Sequence, residues 1–207
     1  MTNSSGRWLR RHLADPYVKR SRAEGYRSRA AYKLLQIDAR DRLLRPGAVV
    51  VDLGAAPGGW SQVAAQRLGA RGRVIAVDVL EMAPVPGVRF VRGSFLDEAV
   101  RAAVREAAGG LADAVLSDMM PELSGVAAAD QARAAELVRA AIDFCRANLA
   151  PQGALLVKVF QGREFASLLG LLRRTFSSVR TRKPAASRGE SRELYLLARG
   201  LRRDAAG

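Results

Sequence analysis

The chain has 207 residues, enough for one domain with a sizeable core, and its 49% hydrophobic and 26% charged shares are those of a soluble globular protein. Thirty-four Lys and Arg against 20 Asp and Glu leave a net charge of +14, which points to a polyanionic partner, nucleic acid or an anionic membrane surface. No apolar run approaches the roughly 20 residues of a spanning helix, and the opening MTNSSGRWLRRHLADPYVKR lacks the apolar centre of a secretory signal. Cys145 is the only cysteine, which excludes an internal disulfide and fits a reducing cytoplasm. It lies in the helical pattern AAIDFCRANL, where it reads as a packed core thiol.

The first stretch is basic: Arg7, Arg10, Arg11, Lys19, Arg20, Arg22, Arg27, Arg29 and Lys33 face only Asp15 and Glu24. Trp8, Tyr17, Tyr26 and Tyr32 are interleaved with them, the usual make-up of an RNA-contacting surface, with rings for stacking and cations for phosphates. The same aromatics equally suit packing on the domain, and both readings can hold on different faces. Residues 1–27 are therefore read as a basic, RNA-facing extension and 28–200 as the folded domain. The tail 201–207 is expected to be disordered. His12, the single histidine, reads as a solvated residue of the extension.

A helix is predicted over Ser28–Leu44, ended by Pro46-Gly47. Strand and helix then alternate. AVVVDL (Ala48–Leu53) is a β-branched apolar run suited to a strand buried on both faces, and Trp60–Leu68 reads as a helix. Further strands are predicted at Arg73–Val79, Val88–Gly93, Asp113–Asp118 and Ala154–Phe160. Helices are predicted up to Ala108, over Ala129–Leu149 with stops at Pro151 and Gly153, and over Glu164–Phe176. The final pair, SSVRTRK and RELYLLAR, has no helix between its members. This pattern predicts a doubly wound α/β fold, a Rossmann-like, mainly parallel seven-stranded sheet with an antiparallel edge hairpin.

In such sheets ligands bind past the C-terminal strand ends. Those ends carry Asp52, Asp78 and Asp118, and the first turn is Gly54-Ala55-Ala56-Pro57-Gly58-Gly59. It lacks the G-x-G-x-x-G spacing, and no Gly-Lys-Ser/Thr follows anywhere, which counts against NAD and ATP. Asp78 is placed to accept from ribose hydroxyls. Acids suit a ligand carrying an amine and a sulfonium better than one carrying phosphates. No His/Cys cluster or H-E-x-x-H pattern is present, so no metal is expected.

VDLGAAPGGWSQVA resembles the first motif of the FtsJ-type ribosomal RNA 2′-O-methyltransferases, and the similarity continues through SRAAYKLLQID, LSDMMPELSG, LLVKVFQG and SRELYLLARG. The motifs keep the family's order and spacing from about Tyr26 to Gly200. The resemblance implies S-adenosylmethionine as cofactor, with Gly58, Trp60, Asp78 and Asp118 in contact with it. It also implies methylation of a uridine ribose in 23S rRNA on an assembled large subunit, by a cytoplasmic protein; high net charge favours a monomer. A sibling specificity on another rRNA or tRNA nucleotide, or a non-catalytic ribosome-assembly factor, would share the fold. Two positions depart from the family. Ser94 stands where it has an acid for the adenine amino group, a weaker acceptor than a carboxylate unless Asp97 compensates. Glu122 stands where it has Asn, which adds a negative charge on the substrate side.

Within VKVF, Lys158 is expected mid-strand, where an unpaired ammonium is costly. Burial and a nearby like charge both lower an amine's pKa toward neutrality, so that the free amine is at hand to take a proton, and Lys33 is the candidate for that charge. Asp118 and Glu193 would orient the two amines. Lys33, Asp118, Lys158 and Glu193 match the family's Lys-Asp-Lys-Glu tetrad, although a structural ion-pair network uses the same residue types. Arg173, Arg174, Arg180, Arg182, Lys183, Arg188 and Arg192 are candidates to extend the RNA surface, some of them as merely solvated side chains.

Overall fold

The computed structural model describes residues 15–187 and 191–202. The readings of Arg7, Trp8, Arg10, Arg11, His12 and Arg188, and of the tail from 203 onward, lie outside the described residues. Seven strands form one sheet: β1 (Val49–Leu53), β2 (Arg73–Asp78), β3 (Val88–Arg92), β4 (Ala112–Ser117), β5 (Leu149–Phe160), β6 (Phe176–Arg182) and β7 (Glu193–Leu201). Their order is β3-β2-β1-β4-β5-β7-β6. β1 to β5 pair in parallel, and β7 runs antiparallel to both β5 and β6. The mainly parallel Rossmann-like sheet and the antiparallel edge hairpin are as the sequence predicts. The last strand, rather than the sixth, lies against β5.

The helices among the described residues are α1 (Pro16–Ala23), α2 (Ala31–Asp41), α3 (Gly59–Leu68), α4 (Glu98–Ala108), α5 (Ala127–Asn148) and α6 (Phe165–Thr175). On one face of the sheet, Leu34 and Ile37 of α2 and Trp60 and Val63 of α3 pack on Val50, Leu116, Leu156 and Leu197. On the other, Val104, Ile142, Cys145 and Leu172 of α4 to α6 pack on Val51, Val115, Leu155 and Val157. Cys145 is the core thiol expected, and burial pushes its ionisation up. Leu155, Leu156 and Val157 are fully enclosed, each contributing about 1.5–3 kcal/mol against the entropy of ordering the chain.

Among the boundaries that differ from the sequence reading, two have a local reason. Helix α2 ends at Asp41 because Arg42 takes a left-handed conformation (φ 51°). That turns Leu43 and Leu44 into the core, and the Leu44 N–H donates to Asp38 Oδ1 at 2.8 Å. Strand β5 starts at Leu149, before Pro151 and Gly153, because its register against β4 shifts between Ala112 and Ala114. Such a bulge accommodates a residue without an N–H and one without a side chain.

Asp15 caps α1, accepting from Tyr17 N at 3.0 Å, and Pro16 occupies the first helical position. Tyr17 and Tyr26 pack on Tyr32 at ring distances of 5.4 and 5.7 Å, and Arg20 lies over the Tyr32 ring. These aromatics therefore pack, while Lys19, Arg20 and Arg22 stay exposed. Arg182 behaves differently from its sequence reading. Arg182 is buried in a two-pronged ion pair with Asp41, both contacts at 2.6 Å, so it belongs to the fold and not to an RNA surface. It holds the Asp41 carboxyl below the usual range.

Candidate active site

The first half of the site is backbone. Gly54 (φ 76°) follows β1, and a Cβ there would lie 2.7 Å from the Met119 Cα, so the turn presses on the loop leaving β4. Only glycine permits both that conformation and that approach. Gly58 (φ 108°) opens α3. Asp78, at the end of β2, is fixed across the turn, accepting from Ala56 N and Leu80 N at 2.9 Å each. From outside, the Arg27 guanidinium donates to the carbonyls of Pro57 (3.2 Å), Ala83 (2.5 Å) and Pro84 (2.6 Å), tying the glycine turn to the loop after β2. Asp52 is not at the rim. It is fully buried beneath the turn, where Ser61 donates to its Oδ2 at 2.6 Å and its Oδ1 has no partner. Burial pushes this carboxyl up to about 7, Ser61 opposes the shift, and the Asp118 and Asp78 charges add to it.

The second half is side chains. Strand alternation puts Lys158 and its cross-strand partner Tyr195 on the sheet face that α2 covers, with Glu193 two residues before Tyr195. The Lys158 amine donates to the Asp118 carbonyl at 2.6 Å and meets Asp118 Oδ1 at 3.1 Å. From α2, Lys33 Nζ reaches Glu193 Oε1 at 2.6 Å. All four tetrad candidates thus come together as two ion pairs. Tyr195 joins them: its hydroxyl lies 2.8 Å from Asp118 Oδ1 and 3.3 Å from Glu193 Oε1, and accepts from Lys33 at 3.2 Å. Burial and the two carboxylates raise its ionisation well above the ordinary tyrosine range, so it stays a donor. Its single proton serves two carboxylates. Sequence reading missed Tyr195, although its spacing from Glu193 and the strand period of two were a usable signal.

The other candidates are more dispersed. Trp60 is 3% exposed, with its ring 5.6 Å from that of Tyr195 and its indole N–H given to the Ala30 carbonyl at 2.7 Å. The side chain supports the turn and Tyr195 from beneath. The Ser94 hydroxyl accepts from Leu96 N at 3.3 Å. Asp97, at the start of α4, leaves its exposed side chain out of the helix cap. Glu122 is exposed on the loop after β4.

A profile of the FtsJ-like methyltransferases matches residues 26–201. The chain belongs to the FtsJ-like methyltransferase family. A protein of Azoarcus sp. named ribosomal RNA large subunit methyltransferase E is 57% identical over 96% of this chain and 98% of its own length. One of the same name from Pseudomonas aeruginosa is 53% identical, over 97% and 98%. Among solved structures, a chain described as a ribosomal RNA methyltransferase from Plasmodium falciparum superposes with a TM-score of 0.76 at 29% identity. The match covers 85% of this chain and 98% of that one. In this FtsJ-like methyltransferase the glycine turn and the tetrad both lie toward the C-terminal ends of β1, β2, β4 and β5. A donor and an acceptor of a methyl group can meet there.

Proposed function

We propose that this protein transfers a methyl group from S-adenosylmethionine to the ribose 2′-hydroxyl of a uridine in 23S rRNA within the large ribosomal subunit. The observation that carries the reading is the buried Lys158 amine, fixed by Asp118 at 2.6 and 3.1 Å at the strand ends where open α/β sheets take their ligands. The names borne by its relatives support ribosomal RNA as the acceptor.

The residues present suit the cofactor. Three carboxylates, Asp52, Asp78 and Asp118, lie close enough for the last two to raise the first, and Asp52 Oδ1 is buried without a partner. A ligand bearing an amine and a sulfonium relieves that repulsion. The glycine turn leaves room for close approach, Asp78 keeps lone pairs for ribose hydroxyls, and Gly58 and the Trp60 backbone open α3. When bound, S-adenosylmethionine supplies an electrophilic methyl on sulfur.

The tetrad prepares the nucleophile. A neutral Lys158 amine has two N–H groups, which Asp118 accepts at its carbonyl and Oδ1, and one lone pair that remains to take the 2′-hydroxyl proton. Asp118 then stabilises the ammonium formed. Lys33, held by Glu193 and linked through the Tyr195 hydroxyl to Asp118, places a second cation beside the site. The exposed Lys19, Arg20 and Arg22 of α1, with Arg173, Arg174, Arg180 and Lys183, make α1 and the β6 edge the phosphate-contacting surface.

The test incubates the protein with tritiated S-adenosylmethionine and under-methylated large subunits, maps the label, and repeats the assay with Lys158→Ala. Label on one uridine ribose, reduced by about 10²–10⁴-fold in the variant, is expected. Cofactor and RNA binding without transfer to subunits, free rRNA or tRNA would overturn the enzymatic reading in favour of an assembly factor.

A further inference from the structure

Just beyond the tetrad lies a cleft of about 190 Å³ that the methyl-transfer steps leave unused. Met120, Pro121 and Leu123 form one wall, Phe160, Gln161 and Arg192 the other. Each wall continues an element that carries a tetrad residue: Met120 follows Asp118 by two positions, Phe160 follows Lys158 by two, and Arg192 precedes Glu193. The Gln161 N–H donates to the Arg192 carbonyl at 2.9 Å, so the second wall is one piece of sheet. The Phe160 ring centre is 6.0 Å from Lys158 Nζ.

The first wall is a loop whose large apolar side chains do not pack. Met120, Leu123 and Val126 are 50%, 60% and 60% exposed. The loop is braced from α5 instead. Asp130 accepts from Ser124 N (2.9 Å), Ser124 Oγ (2.7 Å) and Gly125 N (3.2 Å), and pairs with Arg133 at 2.5 Å. The Ser124 bonds pull its carboxyl down to about 2. A polar brace that holds apolar side chains in solvent beside a reaction centre implies an apolar surface to be covered. Gln161 and the exposed Arg192 at the rim call for a partner with polar edges.

We infer that this cleft receives the base of the nucleotide being methylated, unstacked from its RNA. The inference rests on the ribose-methylation reading above. A base hangs from the sugar carbon next to the one bearing the 2′-oxygen, so placing that oxygen at Lys158 delivers the base to Phe160. Phe160, Met120 and Leu123 cover its faces, and Gln161 and Arg192 meet its hydrogen-bonding edge, as unpaired bases are commonly held. A base paired in a helix cannot enter, so the acceptor must be an unpaired or extruded nucleotide.

Leu123→Asp alters an exposed residue and leaves the core intact. It is expected to lower kcat/KM for under-methylated large subunits by about 10–100-fold, the scale of one lost base stack, with S-adenosylmethionine binding by calorimetry unchanged. Phe160→Leu is expected to lose activity similarly, and Phe160→Tyr to restore most of it. Ultraviolet crosslinking of the wild type on subunits should join the methylated nucleotide to the peptide holding residues 119–126 or to Phe160. Wild-type rates in Leu123→Asp, or crosslinking of that nucleotide to α1 or β6 instead, would overturn the cleft while leaving the methylation reading intact. No transfer by the wild type would overturn both.

Discussion

The two halves of the site are built on opposite plans. Around β1 and β2 the work is done by consecutive residues and backbone: a glycine turn, a carboxylate pinned across it by Ala56 N, and a guanidinium on three carbonyls. Around β4, β5 and β7 it is done by side chains far apart in the chain, with Lys33 and Glu193 separated by 160 positions and Asp118 and Lys158 by 40. The first plan tolerates exchange of most side chains and is written as a motif. The second depends on each member, and on whatever keeps α2 over the strands.

The sharpest way to break the second half without touching it is Arg182→Ala. The Arg182–Asp41 pair locks the end of α2 to the edge strand with side chains 9% and 5% exposed. Removing one partner of a buried pair costs about 3–5 kcal/mol. In a domain of this size that is a fall in Tm of roughly 6–20 °C, read by thermal melting. Methyl transfer should fall further than cofactor binding, since Lys33 rides on the same helix.

The first half is probed by Asp52→Asn. The Asp52 pKa is raised from 3.8 to about 7, so between those values the folded protein holds a proton that the unfolded chain does not. Stability from this group is therefore present at low pH and lost as pH rises from about 4 to 7, by up to about 4 kcal/mol. The amide removes that loss. Relative to wild type, the variant should gain Tm from pH 4 to about pH 7 and level off above it, less whatever the amide sacrifices in bonding Ser61. An unchanged difference across that range would mean the carboxylate is ionised throughout.

How much of this was legible in the sequence follows from the same contrast. The strands, the edge hairpin and the glycine turn could be read because each is local: β-branched runs, Pro and Gly stops, a missing helix between the last two strands. Lys158 stood out by its place in VKVF and Asp118 by its strand end, but the tetrad as a set came from the family resemblance, because nothing local in SRAAYKLLQID or SRELYLLARG says that Lys33 and Glu193 meet. Tyr195 escaped because a tyrosine in an apolar strand reads as core, and it is core; only the pairing of β7 with β5 puts its hydroxyl between two carboxylates. Arg182 was misread for a related reason. Its neighbours Arg180 and Lys183 are solvated, and its partner Asp41 lies 141 positions away.

Tyr195→Phe separates the two ion pairs by a single atom. It removes a donor shared by Asp118 and Glu193 and leaves Lys158–Asp118 and Lys33–Glu193 in direct contact. A hydrogen bond to a charged group contributes about 1.5–3 kcal/mol, and part of that should appear as a kcat lowered by about 10-fold at unchanged S-adenosylmethionine affinity. If kcat is unaltered, the two pairs act independently and the hydroxyl only fills space.

Arg27→Ala is expected to have the smallest effect and to run in the opposite direction. Arg27 belongs to the segment before α2, yet the three bonds of its guanidinium go to Pro57, Ala83 and Pro84, so it sets the spacing of the two loops that flank the cofactor half. Those acceptors are neutral, and water can replace a donor at this partly exposed position, so the fold should lose little. What changes is preorganisation: the loops must be ordered by the cofactor itself, at a cost of about 1 kcal/mol, or roughly 3–10-fold in Kd. At saturating cofactor kcat should be unchanged, and Arg27→Lys, which can engage fewer of the carbonyls, should fall in between. A lowered kcat with an unchanged Kd would mean that the strap supports the tetrad half instead, and that the two halves are less separate than their construction suggests.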